Sequence, residues 1–467
     1  MATATILGGC TSGPKYVRPD VETPAAYKEV PPGWKTAQPS DEISKGKWWE
    51  VYQDAQLNSF EEQVTVSNQS IRAALAQYQE ARAAVRVSRS EYFPTVSGGL
   101  SLAREHVSST APLFKQGSSK SDYSDYVLPI DASYEPDLWG RVRRTVEASR
   151  SEAQASAADL ANINLSVRAE LAFDYFELRG LDAEKALLDS AVGSYQTALD
   201  LTEHRYNGGL VSAVDVAQAR TQLETTRAQA YDVGVARSSY EHAIAVLIGK
   251  PASTFSIAPL PLTTPPPPTP PGVPSDLLER RPDVAAAERR VEEANAQIGV
   301  AKTAYYPLIT LGSSGGFESA ALGTLIQGPS GLWAFGAAGA ETIFDAGQRR
   351  GLTQEALALH DESVANYRQT VLTGFQEVED NLAALRILQN EAQTEDVAVA
   401  AAQHSLDLSI NRYKGGVTSY LEVTTAQNAA LADEVTAVEI LTRRLAASVL
   451  LVKAIGGGWD VSQIPHM

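Results

Sequence analysis

The sequence predicts a mainly α-helical chain with a smaller β part, built as two copies of one unit. Three observations predict it. First, the chain repeats itself: Arg205-Tyr206-Asn207-Gly208-Gly209 returns as Arg412-Tyr413-Lys414-Gly415-Gly416, an offset of 207. An earlier block, Ala73 to Pro94, returns at an offset of 213 as Ala286 to Pro307, keeping Glu80/Glu293, Tyr92/Tyr305 and the proline. Second, residues 141–206 and 348–413 are free of proline. As helices of about 1.5 Å per residue they reach about 100 Å, wider than a globular domain. Third, each half places a stretch rich in glycine, serine and aromatics between its helices, with a period of two.

Composition sets the outer limits. The 467 residues carry 39 Lys+Arg against 56 Asp+Glu, a net charge of −17. A nucleic-acid partner is excluded, since no basic face is available to meet phosphates. One cysteine excludes an intrachain disulfide and a cysteine-based zinc site. No run of 18 apolar residues exists; the richest stretch, Leu445 to Ile455, carries Lys453. A membrane-crossing helix is not expected. A barrel is not excluded, because its short alternating strands leave little trace in hydropathy.

In chain order, Cys10 follows Ile6-Leu7-Gly8-Gly9. Leucine at −3 and small residues at −2 and −1 form a lipobox, which makes Cys10 the expected lipidation site. Residues 1–9 read as the remnant of a signal peptide, since nine residues without Lys or Arg are too few for a whole one. Thr11, in place of Asp, favours sorting to the outer membrane. Residues 10–55 read as a lipidated tether, and residues 56–250 as the first repeat: helix 56–90, β-hairpin 95–136, then a helical hairpin of 141–206 and 212–249. Residues 251–280 form a stiff proline-rich connector. The second repeat, 281–455, holds helix 282–304, β-hairpin 308–344 and helices 348–413 and 419–455. A tail of residues 456–467 closes the chain.

Apolar residues along the long helices, Leu160, Ile163, Val167, Leu171 and Leu178 in one and Val364, Val371, Val378 and Leu385 in the other, are spaced by threes, fours and sevens, the pattern of a coiled coil or tube. The glycine pairs turn each long helix back at a tip. The candidate strands are 95–107, 123–136, 308–320 and 330–344. Their alternation fits a tilted strand between lipid and water, and equally a soluble sheet with one buried face. Tyr123, Tyr126, Tyr134, Trp139 and Trp333 would then suit the bilayer interfaces. Four strands cannot close a membrane barrel, so spanning a membrane requires an oligomer.

Catalytic signals are weak. His106, His204, His242, His360, His404 and His466 are scattered, with no His-x-x-x-His pair, Gly-x-Ser-x-Gly elbow or phosphate loop. No enzyme activity, cofactor or metal is expected beyond the covalent lipid on Cys10.

These landmarks resemble the TolC-like outer-membrane factors, of the NodT-type lipoprotein group that serves resistance–nodulation–division efflux systems. The resemblance rests on Cys10-Thr11-Ser12-Gly13-Pro14-Lys15-Tyr16-Val17-Arg18-Pro19, on Trp48-Trp49 with Asp54 and Leu57, and on Leu277-Leu278-Glu279-Arg280-Arg281-Pro282-Asp283-Val284. Asp137-Leu138-Trp139-Gly140-Arg141 and Phe344-Asp345-Ala346-Gly347-Gln348 match the strand-to-helix junctions, with Gln348 in place of the usual arginine. The resemblance implies a homotrimer in which a trimeric α-helical tunnel joins a 12-stranded membrane β-barrel, four strands per protomer, with residues 10–55, the proline connector and the C-terminal tail forming a belt around the tunnel's middle. It implies a passive conduit for small molecules in the cell outer membrane, reaching into the periplasm, with a periplasmic adaptor and an inner-membrane efflux transporter as partners.

The resemblance also assigns sites. Gly208, Gly209, Gly415 and Gly416 would give tight turns of positive φ and a smooth tip for the adaptor. Asp215 and Tyr413 match a pair that holds the tunnel end closed. Thr418 stands where a basic residue is usual, which weakens an ionic lock there. Glu422 would contribute to a ring of three carboxylates favouring cations. For Asp215 and Glu422 the plainer reading is a first-turn charge helping the helix dipole. A protein-secretion channel and a structural trimeric coiled-coil stalk are the competing functions; a stalk needs no return helix.

Overall fold

The computed structural model describes residues 12–29, 47–106, 108, 122–267 and 277–465. Cys10, Thr11, His466 and the prolines of 268–276 lie outside the described residues.

The first helical stretch divides at one side chain. Asp54 caps α1 (Ala55–Ser67), accepting from the N–H groups of Gln56 and Leu57 at 2.8 and 2.9 Å. Asn68 then turns extended and starts α2 (Gln69–Ser90) by accepting from the Ile71 N–H at 3.0 Å. Its amide also donates to the Leu247 carbonyl at 2.8 Å, satisfying the end of another helix. The single helix expected over 56–90 is therefore two.

Three strands and the first long hairpin follow. They are β1 (Thr95–Gly98), β2 (Ser101–His106) and β3 (Asp122–Tyr134), then α3 (Arg141–Asn207) and α4 (Ala213–Leu247). The strand expected over 95–107 is interrupted at Gly99-Leu100, though both pieces keep one register against β3. After the connector come α5 (Leu277–Arg280), α6 (Pro282–Thr303), β4 (Leu308–Ser319), β5 (Gly331–Ala340), α7 (Gln348–Lys414) and α8 (Tyr420–Ala454). Strand β5 ends at Ala340, short of the expected 344. The two halves match in length: α3 and α7 have 67 residues each, α4 and α8 have 35 each.

The strands form one antiparallel sheet, with β1 and β2 on one edge, then β3, β4 and β5. Register assigns its faces, because residues directly opposite share a side. One face collects Tyr126, Leu128, Ile130 and Tyr134 with Leu102, Val96, Phe317, Trp333 and Phe335. The other collects Asp125, Asp131, Ser133, Ser97, Ser314 and small residues. Trp333 and Phe335 are 84% and 75% exposed, so the apolar face is uncovered in one protomer. At the foot of the sheet Trp139 stacks on Tyr306, ring centroids 4.9 Å apart, and donates to the Pro307 carbonyl at 2.7 Å.

Helices α2, α3, α6 and α7 lie side by side as a wall, and α4 and α8 return along α3 and α7. At mid-height a core of Trp49, Leu57, Phe60, Leu171, Tyr175, Leu178, Ile244, Ile257, Leu445 and Val449 forms a waist. Helices α3 and α8 meet closely there: a Cβ on Gly180 would lie 2.2 Å from Thr442 Oγ1. The start of the connector is tied to this waist by Asp182. Its carboxylate accepts from Arg179 at 3.0 Å, Arg237 at 2.6 Å and the Leu260 N–H at 2.9 Å. Residues 12–29 run along α6 and α7, with Tyr16 donating to Glu288 and Arg18 to Tyr367. Their first residue donates from its N–H to the Trp139 carbonyl, beside the foot of the sheet.

Candidate functional site at the hairpin tips

Each long helix ends by the same device. Gly209, at φ +72°, lets the Leu210 N–H reach the Arg205 carbonyl at 2.8 Å and its own N–H reach Tyr206 at 2.8 Å. In the second half Gly416, at φ +74°, does the same for Val417 to Arg412 and for itself to Tyr413, both 3.0 Å. This is the Schellman arrangement, in which the residue of positive φ is glycine. The expectation that all four tip glycines take positive φ is corrected: Gly208 has φ −81° and Gly415 has φ −75°. Those two have negative φ and need no glycine for conformational reasons.

The return helix α4 starts with a capping box between Ser212 and Asp215. Asp215 Oδ2 accepts from the Ser212 N–H at 2.9 Å and from its hydroxyl at 2.7 Å. The other oxygen accepts from the Tyr420 N–H at 3.2 Å, at the start of α8. One carboxylate thus serves the first turns of two helices, and Ser419, the N-cap of α8, makes no side-chain cap of its own. Partial burial works against its ionisation, but the hydrogen bonds from Ser212 and Tyr420 outweigh it and hold the carboxyl below its ordinary value.

Tyr413 is buried, and its hydroxyl shares a hydrogen bond with Thr202 at 3.2 Å. It does not meet Asp215 within one chain, where Asp215 accepts from the Tyr420 N–H and the Tyr413 hydroxyl bonds Thr202. Tyr420 joins the two, its N–H on Asp215 and its ring packed edge-on against Tyr413 at 5.3 Å. Burial pushes the Tyr420 hydroxyl up to about 12. Around them Tyr195, Leu199, Leu223, Val423 and Leu431 complete a core that the two hairpins share.

The duplicated arginines behave differently. Arg205 crosses to the other hairpin: Nη1 donates to the Tyr413 carbonyl at 2.8 Å, and the guanidinium lies 4.7 Å over the Tyr413 ring. Arg412 stays on its own hairpin and pairs with Glu422 at 2.9 Å. The Thr418 hydroxyl also donates to Glu422, at 2.5 Å. Glu422 is therefore a carboxylate partnered across its own turn by Arg412 and Thr418. Sequence reasoning missed both arginines, although each opens the repeated Arg-Tyr-x-Gly-Gly. Among the described residues no group of three or more His, Cys, Asp and Glu side chains is placed to hold a metal ion.

Comparison with known proteins agrees with this geometry. The family model for the outer membrane efflux protein matches residues 62–250 and 273–457. The toluene efflux pump outer membrane protein TtgF of Pseudomonas putida is 33% identical over 476 residues, covering 98% of this chain and 96% of that protein. The outer-membrane channel OprN superposes with a TM-score of 0.89 at 26% identity, over 96% of this chain and 100% of that one. The Campylobacter jejuni CmeC outer membrane channel gives 0.89 at 25% identity, over 97% and 96%.

Proposed function

The chain belongs to the outer membrane efflux protein family, and on that footing we propose that three copies close one passive conduit carrying small toxic compounds from the periplasm to the exterior. The observation that carries this reading is a sheet with two open edges and one uncovered apolar face, mounted on helical hairpins about 100 Å long. A sheet with an apolar and a polar face suits lipid outside and water inside, and closing it end to end removes its edges. The hairpin tips, furthest along the chain from the strands, would dock a periplasmic adaptor that joins the channel to an inner-membrane transporter. Cys10 would carry the lipid anchor. In support, Ser12, two residues on, is bonded to Trp139 at the foot of the strands, where a bilayer surface would lie.

Gating is assigned to the shared tip core. Asp215 and Arg205 brace the two hairpins against each other, and Tyr413 fills the space between them. The purified protein in planar bilayers should conduct as a trimer; absence of pores would sink the channel reading. Replacing Asp215 and Tyr413 together with alanine should raise the resting conductance, and unchanged conductance would remove their role as a gate. Mass measurement of the membrane-extracted protein reads the lipid on Cys10.

A further inference from the structure

The internal duplication fixes how neighbouring copies of the chain meet along their strand edges. Within one protomer the offset between halves is constant over whole elements. Helix α2 and strands β1 and β2 map onto α6 and β4 at 213, end to end; helices α3 and α4 map onto α7 and α8 at 207. The strand ladders carry the same pair of offsets. Shifting β1 by 213 and β3 by 207 turns Thr95↔Ser133 into Leu308↔Ala340, and Gly98↔Ile130 into Leu311↔Ala337, both observed pairs. The change of offset therefore falls between β2 and β3, outside the sheet.

Strands β3 and β4 are the seam between the two halves. In a ring of identical chains, β5 of one copy and the β1–β2 edge of the next form the equivalent seam between subunits, since each has a neighbour on one side only. We propose that this seam keeps the register of the internal one. Moving the β3 partner up by 207 and the β4 partner down by 213 converts Asp131↔Ser314 into Ala338↔Ser101 of the next copy, and Ile130↔Gly315 into Ala337↔Leu102. The ladder runs from Trp333↔His106 to Ala340↔Gly99.

Side-chain faces agree with this register. Trp333, Phe335 and Ala337 lie on the apolar face, and so do Leu102 and Arg104 across from them. Ala334, Gly336 and Ala338 lie on the polar face with Ala103 and Ser101. A slip of one residue would turn one strand's lipid face toward water, which is why a barrel seam tolerates no such slip. The occupant of both open edges is thus a second copy of this chain. The proposal rests on the channel reading above and adds the register to it.

Cysteine pairing in the full-length chain tests the seam, with wild type and each single variant as controls because Cys10 is present. Ser101→Cys with Ala338→Cys, and separately Leu102→Cys with Ala337→Cys, stand directly opposite across the seam, within reach of a disulfide. Both pairs should give reductant-sensitive covalent dimers and trimers. Ala338→Cys combined with Gly99→Cys or Ala103→Cys is displaced by two residues, to about 7–8 Å, and should give roughly tenfold less. Stronger cross-linking of the displaced pairs, or none from either opposed pair in a conducting trimer, overturns the register and leaves the channel reading standing. A protein that stays monomeric and non-conducting overturns both.

Discussion

Replacing Glu61 with glutamine should stabilise the protein, and by an amount that grows with pH. Glu61 lies on the inward face of α1 with Leu57, Phe60 and Val64, and its side chain is fully buried. Neither carboxylate oxygen has a hydrogen-bond partner among the described residues. Arg168 Nη1 stands 3.9 Å away, too far for a hydrogen bond, and has no hydrogen-bond partner among the described residues, while the rest of the guanidinium is held by Asn164, Thr65 and the Trp49 ring. Burial raises the Glu61 carboxyl to about 8, against the weaker pull of Arg168. The sign follows from linkage. Between about 4.5 and about 8 the folded chain holds a proton that the unfolded chain releases, so stability falls as pH rises through that window. At about 1.4 kcal/mol per pH unit, the deficit is about 1 kcal/mol at pH 5, about 3 at pH 7, and levels near 5 above pH 8. Glutamine keeps the shape and cannot ionise. Unfolding midpoints of parent and Glu61→Gln, measured side by side from pH 4.5 to 8.5, should coincide at the acid end and separate steadily toward the alkaline end. A gap that does not change with pH would refute the reasoning, because every other group titrates alike in both proteins.

Other outcomes follow from close contacts. Gly416→Ala should loosen the second tip by about 1–2 kcal/mol, since its φ is +74°, whereas Gly415→Ala should be neutral or slightly stabilising; amide exchange at Val417 reads the difference. Asp182→Asn leaves Arg179 and Arg237 poorly paired in the waist and should cost about 3–5 kcal/mol, seen as a lower unfolding midpoint and faster proteolysis at residues 256–267. Gly180→Val should drive α3 from α8 and cost about 1–3 kcal/mol, and Thr442→Ala in the same chain should return part of that stability.

Much of the architecture was legible because it rests on local rules. Absence of proline marked α3 and α7, glycine pairs marked their ends, and period-two alternation marked β3, β4 and β5. The break at Asn68 was missed although asparagine is a favoured N-cap and Thr65, Val66 and Ser67 before it are weak helix formers; only the reach of its amide to Leu247 lies beyond local sequence. At the tips, Ser212 and Asp215 carry a capping box that sequence spacing encodes. The bond from Tyr420 to Asp215 is not encoded there, because it depends on packing between residues 205 positions apart. Identical Arg-Tyr motifs gave no sign that Arg205 would cross while Arg412 would not. Glu61 did leave a signal, an acid on the apolar stripe of Leu57, Phe60 and Val64, which invites the question of what it meets.

The matched lengths of the helices carry a consequence for how such a chain can change. Both long helices have 67 residues and both return helices 35, so the two tips of a protomer finish level. A four-residue insertion in α3 alone would lift one tip by about 6 Å above its neighbour. In the proposed trimer, three such mismatches would make a crenellated rim in place of a flush one. Length variation is then admissible only in balanced pairs within the hairpins, and the one change of offset between the halves falls outside them, between β2 and β3 in the sequence.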